Sequence, residues 1–200
     1  LTGATQSPAL SLQLEQARNP LLERWSLQAD WSAARSALQL RDFQSPLLQA
    51  QATLPLALGR GGLKLGSLAA QLRLDAFPLA RVGPILGTPM DGSLSAFGEV
   101  HGPLTALQPN LQLRLEDPRA GTLRLLETWQ GRFEGVSGGG GRLRMASVGS
   151  VLPGSLEATL GRNWLPRRVL LTRRNGELVL DGTPAAYRWQ ARGLSLDGLE

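Results

Sequence analysis

The sequence predicts an all-β chain, built as a mostly antiparallel sheet with one apolar face. Leucines alternate with polar residues through most of the 200 residues, which is the period of a strand with one buried side. The 24 glycines and 13 prolines favour many short elements joined by tight turns. A hydrophobic content of 42% and a charged content of 18% are typical of a folded chain.

The alternating runs can be followed from one end of the chain to the other. Turn-forming stretches such as "GRGG", "EDPRAG", "LPGS" and "LDGTP" separate them. The spacing predicts strands of about 5–8 residues that recur every ~12–18 residues. The apolar positions of the predicted strands are Leu10, Leu12, Leu14, Trp25, Leu27, Ala29, Trp31, Leu38, Leu40, Leu54, Leu56, Leu58, Leu72, Leu74, Leu94, Val100, Leu111, Leu113, Leu115, Leu123, Leu125, Leu143, Met145, Leu156, Ala158, Leu160, Val169, Leu171, Leu178, Leu180, Tyr187, Trp189, Ala191, Leu194 and Leu196.

Some local signals refine this prediction. Pro55 lies on the polar phase of a run and cannot donate to a ladder, which predicts an edge or bulged strand. "RNGE" between two apolar runs predicts a hairpin in which Asn175 and Gly176 supply the positive φ angles. Residues 77–87 lack alternation and predict a short helical turn or an irregular crossover. Residues 14–25 predict partly helical structure, and the glycine-rich 135–141 predicts a mobile loop within one architecture.

The positive charge is spread along the strands. The net charge is +5, Lys64 is the only lysine, and most arginines stand singly between apolar residues. We interpret them as a solvated strand face or as a rim that meets lipid headgroups. Because base-stacking aromatic residues are not interleaved with the arginines, no nucleic-acid partner is expected. The densest group is Arg162, Arg167, Arg168, Arg173 and Arg174.

Residues that could carry out catalysis are scarce. His101 is the only histidine, and no "GxSxG" motif supports a catalytic triad. The glycines at 138–141 open an alternating strand, whereas a phosphate-binding loop precedes Gly-Lys-Ser/Thr and a helix. The absence of cysteine removes thiolate nucleophiles and cysteine-bound metals. We therefore expect no enzyme activity, no metal or other cofactor, and no small-molecule substrate.

Two short phrases and one long stretch carry a family resemblance. Residues 74–125, "LDAFPLARVGPILGTPMDGSLSAFGEVHGPLTALQPNLQLRLEDPRAGTLRL", combine a Phe-Pro-Leu entry, a glycine-rich unit and an alternating leucine strand. The stretches "WQGRFEG" at 129–135 and "ARGLSLDGLE" at 191–200 are also similar. Together they resemble the repeat region of the TamB family, within the AsmA-like group, and most of all its cyanobacterial and plastid-envelope relatives. The resemblance covers about 70–200, and residues 1–70 fit it more loosely.

The resemblance implies an elongated, curled sheet, a β-taco or half-pipe with an apolar inner face and a polar outer face. It implies one segment, 1–200, of a longer repetitive protein in the periplasm or an intermembrane space, anchored to the inner membrane by a part of the protein outside this piece. Such proteins conduct phospholipid between inner and outer membranes and support assembly of outer-membrane β-barrels. The expected partners are phospholipid acyl chains and a β-barrel assembly partner. The expected groove lining is Leu111, Leu113, Leu115, Leu123, Leu125, Leu143, Met145, Leu156, Leu160, Leu171, Leu178, Leu180, Trp189, Leu194 and Leu196.

Two alternatives remain open at this point. The first is a structural or adhesive β-solenoid or sandwich, in which the leucines fill a closed, dry core. The second is a carbohydrate-active β-helix enzyme, which needs a close, partly buried pair of acidic residues beside a tryptophan. The five tryptophans, which serve either as core or as groove lining, are Trp25, Trp31, Trp129, Trp164 and Trp189.

Overall fold

A computed structural model describes residues 9–16, 21–59, 62–86, 89–121, 123–124, 127–149, 153–174, 176–183 and 186–193. Their secondary structure is almost entirely strand, as the sequence predicts. The strands are β1 (Ala9–Gln16), β2 (Trp25–Ser32), β3 (Ala37–Gln44), β4 (Leu48–Gly59), β5 (Gly62–Leu65), β6 (Leu68–Pro78), β7 (Met90–Gly102), β8 (Gln108–Ala120), β9 (Leu123–Arg124), β10 (Thr128–Gly135), β11 (Gly141–Val148), β12 (Gly154–Leu160), β13 (Pro166–Arg173), β14 (Gly176–Thr183) and β15 (Ala186–Arg192).

The strands form one long, open antiparallel sheet. Thirteen of the described strands follow one another in sequence order from β1 to β15, while β5 pairs only with β4 and β9 only with β8. The sheet does not close into a barrel. At about 4.8 Å between neighbours, thirteen strands make a surface about 58 Å long in the direction across the strands. An all-β, open antiparallel sheet is therefore confirmed, and it is consistent with a curled half-pipe.

The sheet keeps its apolar residues on one face although the sequence changes phase. Leu40 pairs with Ala52 and Phe43 with Ala50, so an irregularity in β3 absorbs the extra residue. In β6 the register shifts between Leu74 and Phe77, where Ala76 has a φ of 44°. These bulges turn apolar residues that are out of phase in the sequence back to the common face.

Two connections at one side of the sheet approach each other. After β6 the chain forms a 3-10 turn, Leu79–Arg81, and a four-residue helix, Gly83–Leu86. Arg81 Nη1 donates a hydrogen bond of 2.9 Å to the Leu21 carbonyl, and the same guanidinium pairs with Glu23. The β6–β7 connection therefore reaches the β1–β2 connection across the intervening strands. The predicted helical turn within 77–87 is confirmed.

Three local predictions need correction. Strands reach 13 residues in β7 and β8, longer than expected, because polar and proline-containing segments continue the ladder. Pro55 is not at a sheet edge, since β4 lies between β3 and β6. On the side away from β3, β4 pairs with β6 before the proline and with β5 after it. Within 14–25, the described residues form strand and turn rather than helix.

The hairpin after β13 is confirmed, but its turn is shifted by one residue. Arg173 pairs with Gly176, so the glycine belongs to the strand and not to the turn, and Asn175 lies outside the described residues. Arg174 has a φ of 50° and takes the first turn position. Among the described residues, no helix is long and apolar enough to cross a membrane.

Candidate functional site

The candidate functional site is the apolar face of the sheet. Cross-strand partners share a face, and leucine-to-leucine or leucine-to-small pairs follow each other from β1 to β15. The predicted lining residues that lie on this face are Leu111, Leu113, Leu115, Leu143, Met145, Leu156, Leu160, Leu171, Leu178, Leu180 and Trp189.

Four predicted lining residues cannot be placed in the same way. Leu123 lies in the two-residue strand β9 opposite Ala120, and its side chain is not described. Leu125, Leu194 and Leu196 lie outside the described residues.

The apolar face is shielded in its middle and open at its two ends. Trp129 on β10 is 1% exposed and packs with Met145 and Leu171, with half-buried leucines around them. In contrast, Leu10 on β1 is 64% exposed and Trp189 on β15 is 66% exposed. Contacts between elements are confined almost entirely to neighbouring strands, so the described residues place no second layer over this face. Burial of a tryptophan in a one-layer sheet is consistent with a sheet curled toward its apolar side.

A polar group of residues borders this face where β10 begins and β13 ends. Arg173 shares the face of Leu171 and lies opposite Gly154 on β12 and Gly176 on β14. Neither of these two cross-strand partners has a side chain. Arg173 is 3% exposed and pairs with the largely buried carboxylate of Glu127, just ahead of β10. We call Glu127, Trp129, Ser147, Gly154 and Arg173 the rim cluster.

Ser147 and Trp129 complete the rim cluster. The Gly154 amide donates a hydrogen bond of 2.7 Å to Ser147 Oγ, which joins the end of β11 to the start of β12. The Trp129 ring extends across β11 toward Gly154, where a Cβ atom would lie 2.8 Å from Cη2 and 3.5 Å from Cζ2. The ring therefore covers the space that the glycine leaves open.

The rim cluster contains buried donors without acceptors. Trp129 Nε1, Arg173 Nε and Arg173 Nη1 are fully covered and have no hydrogen-bond partner among the described residues, and the cluster also holds a covered acceptor atom, Glu127 Oε2. All three groups can donate and none can accept. A buried donor without a partner costs about 1–3 kcal/mol, so this part of the face is suited to a group rich in acceptor oxygens.

Gly154→Ala is expected to destabilise the chain by about 1–3 kcal/mol, because its Cβ atom collides with a ring that has no room to move. In a Trp129→Phe background, the atoms that it strikes are missing and the same change should cost less. Urea unfolding of the four chains gives the coupling between the two positions. Strictly additive free energies of unfolding would contradict the contact.

The opposite side of the apolar face ends on aromatic residues. Phe133 on β10 and Trp164, in the loop between β12 and β13, have ring centroids 5.9 Å apart at an angle of 57°. A Cβ atom at Gly141 would lie 2.5 Å from the Phe133 ring, so this glycine is required by close packing. The two sides of the face therefore differ: one is polar and the other is aromatic.

The polar face carries exposed arginines, glutamines and acidic residues. A depression of about 750 Å³ lies above β8, β10 and β11, and its lining includes Phe97, Arg114, Arg132 and Arg144. The Arg114–Glu116 ion pair, at 2.7 Å, is about half exposed and contributes little to stability. These residues form the solvated strand face that the sequence predicts.

The hydrogen bond from Ser11 is the main factor that lowers the pKa of Asp30 on this polar face, and nearby Arg41 lowers it further. His101 pairs with Glu99 at 2.9 Å on the same face. Neither group faces the apolar side of the sheet.

Glu127 is the acidic residue that lies largely buried beside Trp129, and its partner is the Arg173 guanidinium. Groups of three or more metal-ligating side chains are absent from the described residues.

Sequence reasoning missed the rim cluster. Trp129 has the phase of Phe133, and Arg173 has the phase of Leu171, so alternation could have placed both on the apolar face. We instead grouped Arg173 with arginines of a solvated face or a headgroup rim, and for Arg173 the solvated face is wrong because its side chain is buried. Glu127 gave no such signal, because it lies before the strand begins. The pairing of Glu127 with Arg173 depends on strands far apart in the sequence.

No family model, no curated protein and no solved structure matches this chain. The geometry of the sheet and the chemistry of its residues are therefore the basis for assigning a function.

Proposed function

We propose that this chain is a segment of a cell-envelope protein that conducts phospholipid along its apolar face, between an inner and an outer membrane. The observation that carries the proposal is a continuous apolar face on an open, one-layer sheet. Such a face requires a cover. Acyl chains provide one, at about 0.8 kcal/mol for each buried CH₂ group.

The shape of the face supports passage along the sheet rather than binding at one point. The apolar positions repeat on strand after strand, and both terminal strands leave theirs exposed. An acyl chain that moves from one strand to the next exchanges one set of leucine contacts for a similar set. This periodicity gives no single strong binding site, which favours movement over retention.

An assembly scaffold in the periplasm or intermembrane space is the second candidate function. The resemblance to the TamB family also implies support for β-barrel assembly at the outer membrane, and an open antiparallel sheet is compatible with it. An unpaired strand edge can pair with a strand of another chain. The closed sandwich and the β-solenoid are less suitable, because the chain forms a single open antiparallel sheet.

Mass spectrometry of lipids extracted from the purified chain tests the lipid proposal. We expect phospholipid on the wild-type chain and its loss from a Leu113→Asp/Leu171→Asp variant, because two carboxylates on the apolar face oppose acyl chains. A matched control, Gln112→Asp/Gln130→Asp, places the same two charges on the polar face and should retain lipid. If the double variant unfolds, Leu113→Asp alone replaces it, since that position is only half-buried.

Absence of lipid from a well-folded wild-type chain would contradict the conduit and favour the scaffold. Equal lipid on both double variants would show that lipid binds elsewhere on the molecule. Loss of lipid only from the apolar-face variant supports the proposal.

A further inference from the structure

We propose that the rim cluster binds the phosphate of a phospholipid headgroup while the acyl chains lie on the leucines beside it. This inference rests on the proposed function and adds a polar recognition site to it. The argument starts from three buried N–H groups without acceptors, on Trp129 and Arg173.

The position of the donors fits the two parts of a phospholipid. Arg173 lies two residues from Leu171 on the same face of β13, and Leu171 packs with Trp129 and Met145. The strand ends at Arg173, so the guanidinium borders the apolar surface where the chain turns toward solvent. A lipid with its acyl chains on the leucines therefore has its headgroup near the guanidinium.

The chemistry of the donors selects an oxyanion. A guanidinium offers parallel N–H groups that match two oxygens of a phosphate or carboxylate, and indole adds one more donor. None of the three groups can accept a hydrogen bond. The covered acceptor of the cluster, Glu127 Oε2, belongs to the carboxylate that a phosphate would displace from Arg173. The phosphate, present in every phospholipid, carries the oxygens that they require.

The present partner of Arg173 explains how the site is held when no lipid is bound. Glu127 pairs with Nη2 of the guanidinium, while Nε and Nη1 remain without acceptors. Side chains of the rim cluster cover these two N–H groups. A phosphate therefore reaches them only if it displaces one of the covering side chains. Glu127 precedes β10 and pairs with Arg173, so its carboxylate is the group that a phosphate would displace from the guanidinium in this proposal.

Binding of two fluorescent lipids with identical acyl chains tests the site. One is phosphatidic acid and the other is diacylglycerol, which lacks the phosphate; inorganic phosphate alone serves as a third probe. We expect the wild-type chain to bind phosphatidic acid at least ~10 times more tightly than diacylglycerol. Inorganic phosphate should bind far more weakly than phosphatidic acid, because it lacks acyl chains.

Three variants locate the effect. Trp129→Phe removes one N–H and keeps an aromatic ring, and should weaken binding of phosphatidic acid about three- to tenfold more than it weakens binding of diacylglycerol. Glu127→Met/Arg173→Met removes both charges of the ion pair. In this variant phosphatidic acid and diacylglycerol should bind with equal affinity. Arg168→Met, on the polar face of the same strand, is the matched control and should change neither affinity.

The outcomes separate this inference from the proposed function. Equal binding of both lipids by the wild-type chain would overturn the headgroup site and leave the apolar conduit intact. If inorganic phosphate binds as tightly as phosphatidic acid, the site is one for free phosphate and the headgroup assignment is wrong. If the chain binds neither lipid, the conduit itself is wrong.

Discussion

Arg173→Met is expected to destabilise the chain by about 3–5 kcal/mol, the largest effect of any single charged residue described here. The substitution leaves the Glu127 carboxylate largely buried without the guanidinium that pairs with it. A buried charge that loses its partner costs much more than a surface charge, because water does not replace the interaction. Urea unfolding followed by circular dichroism measures the loss.

A second variant separates the ion pair from simple packing. In Glu127→Met/Arg173→Met both charges are absent, and we expect most of the stability to return, since an apolar pair of similar volume is often neutral. Arg168→Met should change stability by no more than about 0.5 kcal/mol, because its ion pair with Asp181, at 3.8 Å, is exposed. A double variant as unstable as Arg173→Met would contradict the role of the buried charge.

Trp129→Ala is expected to cost about 3–5 kcal/mol, whereas Trp189→Ala should cost about 0.5 kcal/mol or less. Both tryptophans lie on the same face, but Trp129 is 1% exposed and Trp189 is 66% exposed. The first substitution leaves a cavity next to Met145 and Leu171, and the second removes a ring already in contact with water.

Hydrogen exchange distinguishes a local from a global effect of these changes. Each strand contacts mainly its neighbours, so loss of Trp129 should increase amide exchange most in β10, β11, β12 and β13. Strands β1 to β3, at the far end of the sheet, should keep their protection.

Similar destabilisation by Trp129→Ala and Trp189→Ala would contradict this prediction. It would show that the apolar face is covered equally everywhere, against the observed exposure.

Much of the strand pattern could be predicted because alternation is local. A residue's phase in its own strand places Leu113, Met145 and Leu171 on one face without any knowledge of their partners. The hairpin at 174–175 could be predicted for the same reason, although its exact turn residues could not. Of the two predictions for Pro55, an edge is wrong, because an edge is a property of neighbouring strands and not of a single strand; an irregularity in the pairing does lie there.

The sequence by itself determined that this protein is a sheet with one apolar and one polar face, because side-chain alternation has the period of a strand. Only the tertiary structure decided that the sheet is open, that its middle is shielded, and that Glu127 meets Arg173 beside Trp129. These features depend on strand order, register and curvature, which arise from contacts between distant segments. Alternation alone puts Arg168 and Arg173 on opposite faces of β13, but only the register sets Arg173 opposite Gly154 and Gly176 and brings Glu127 to it.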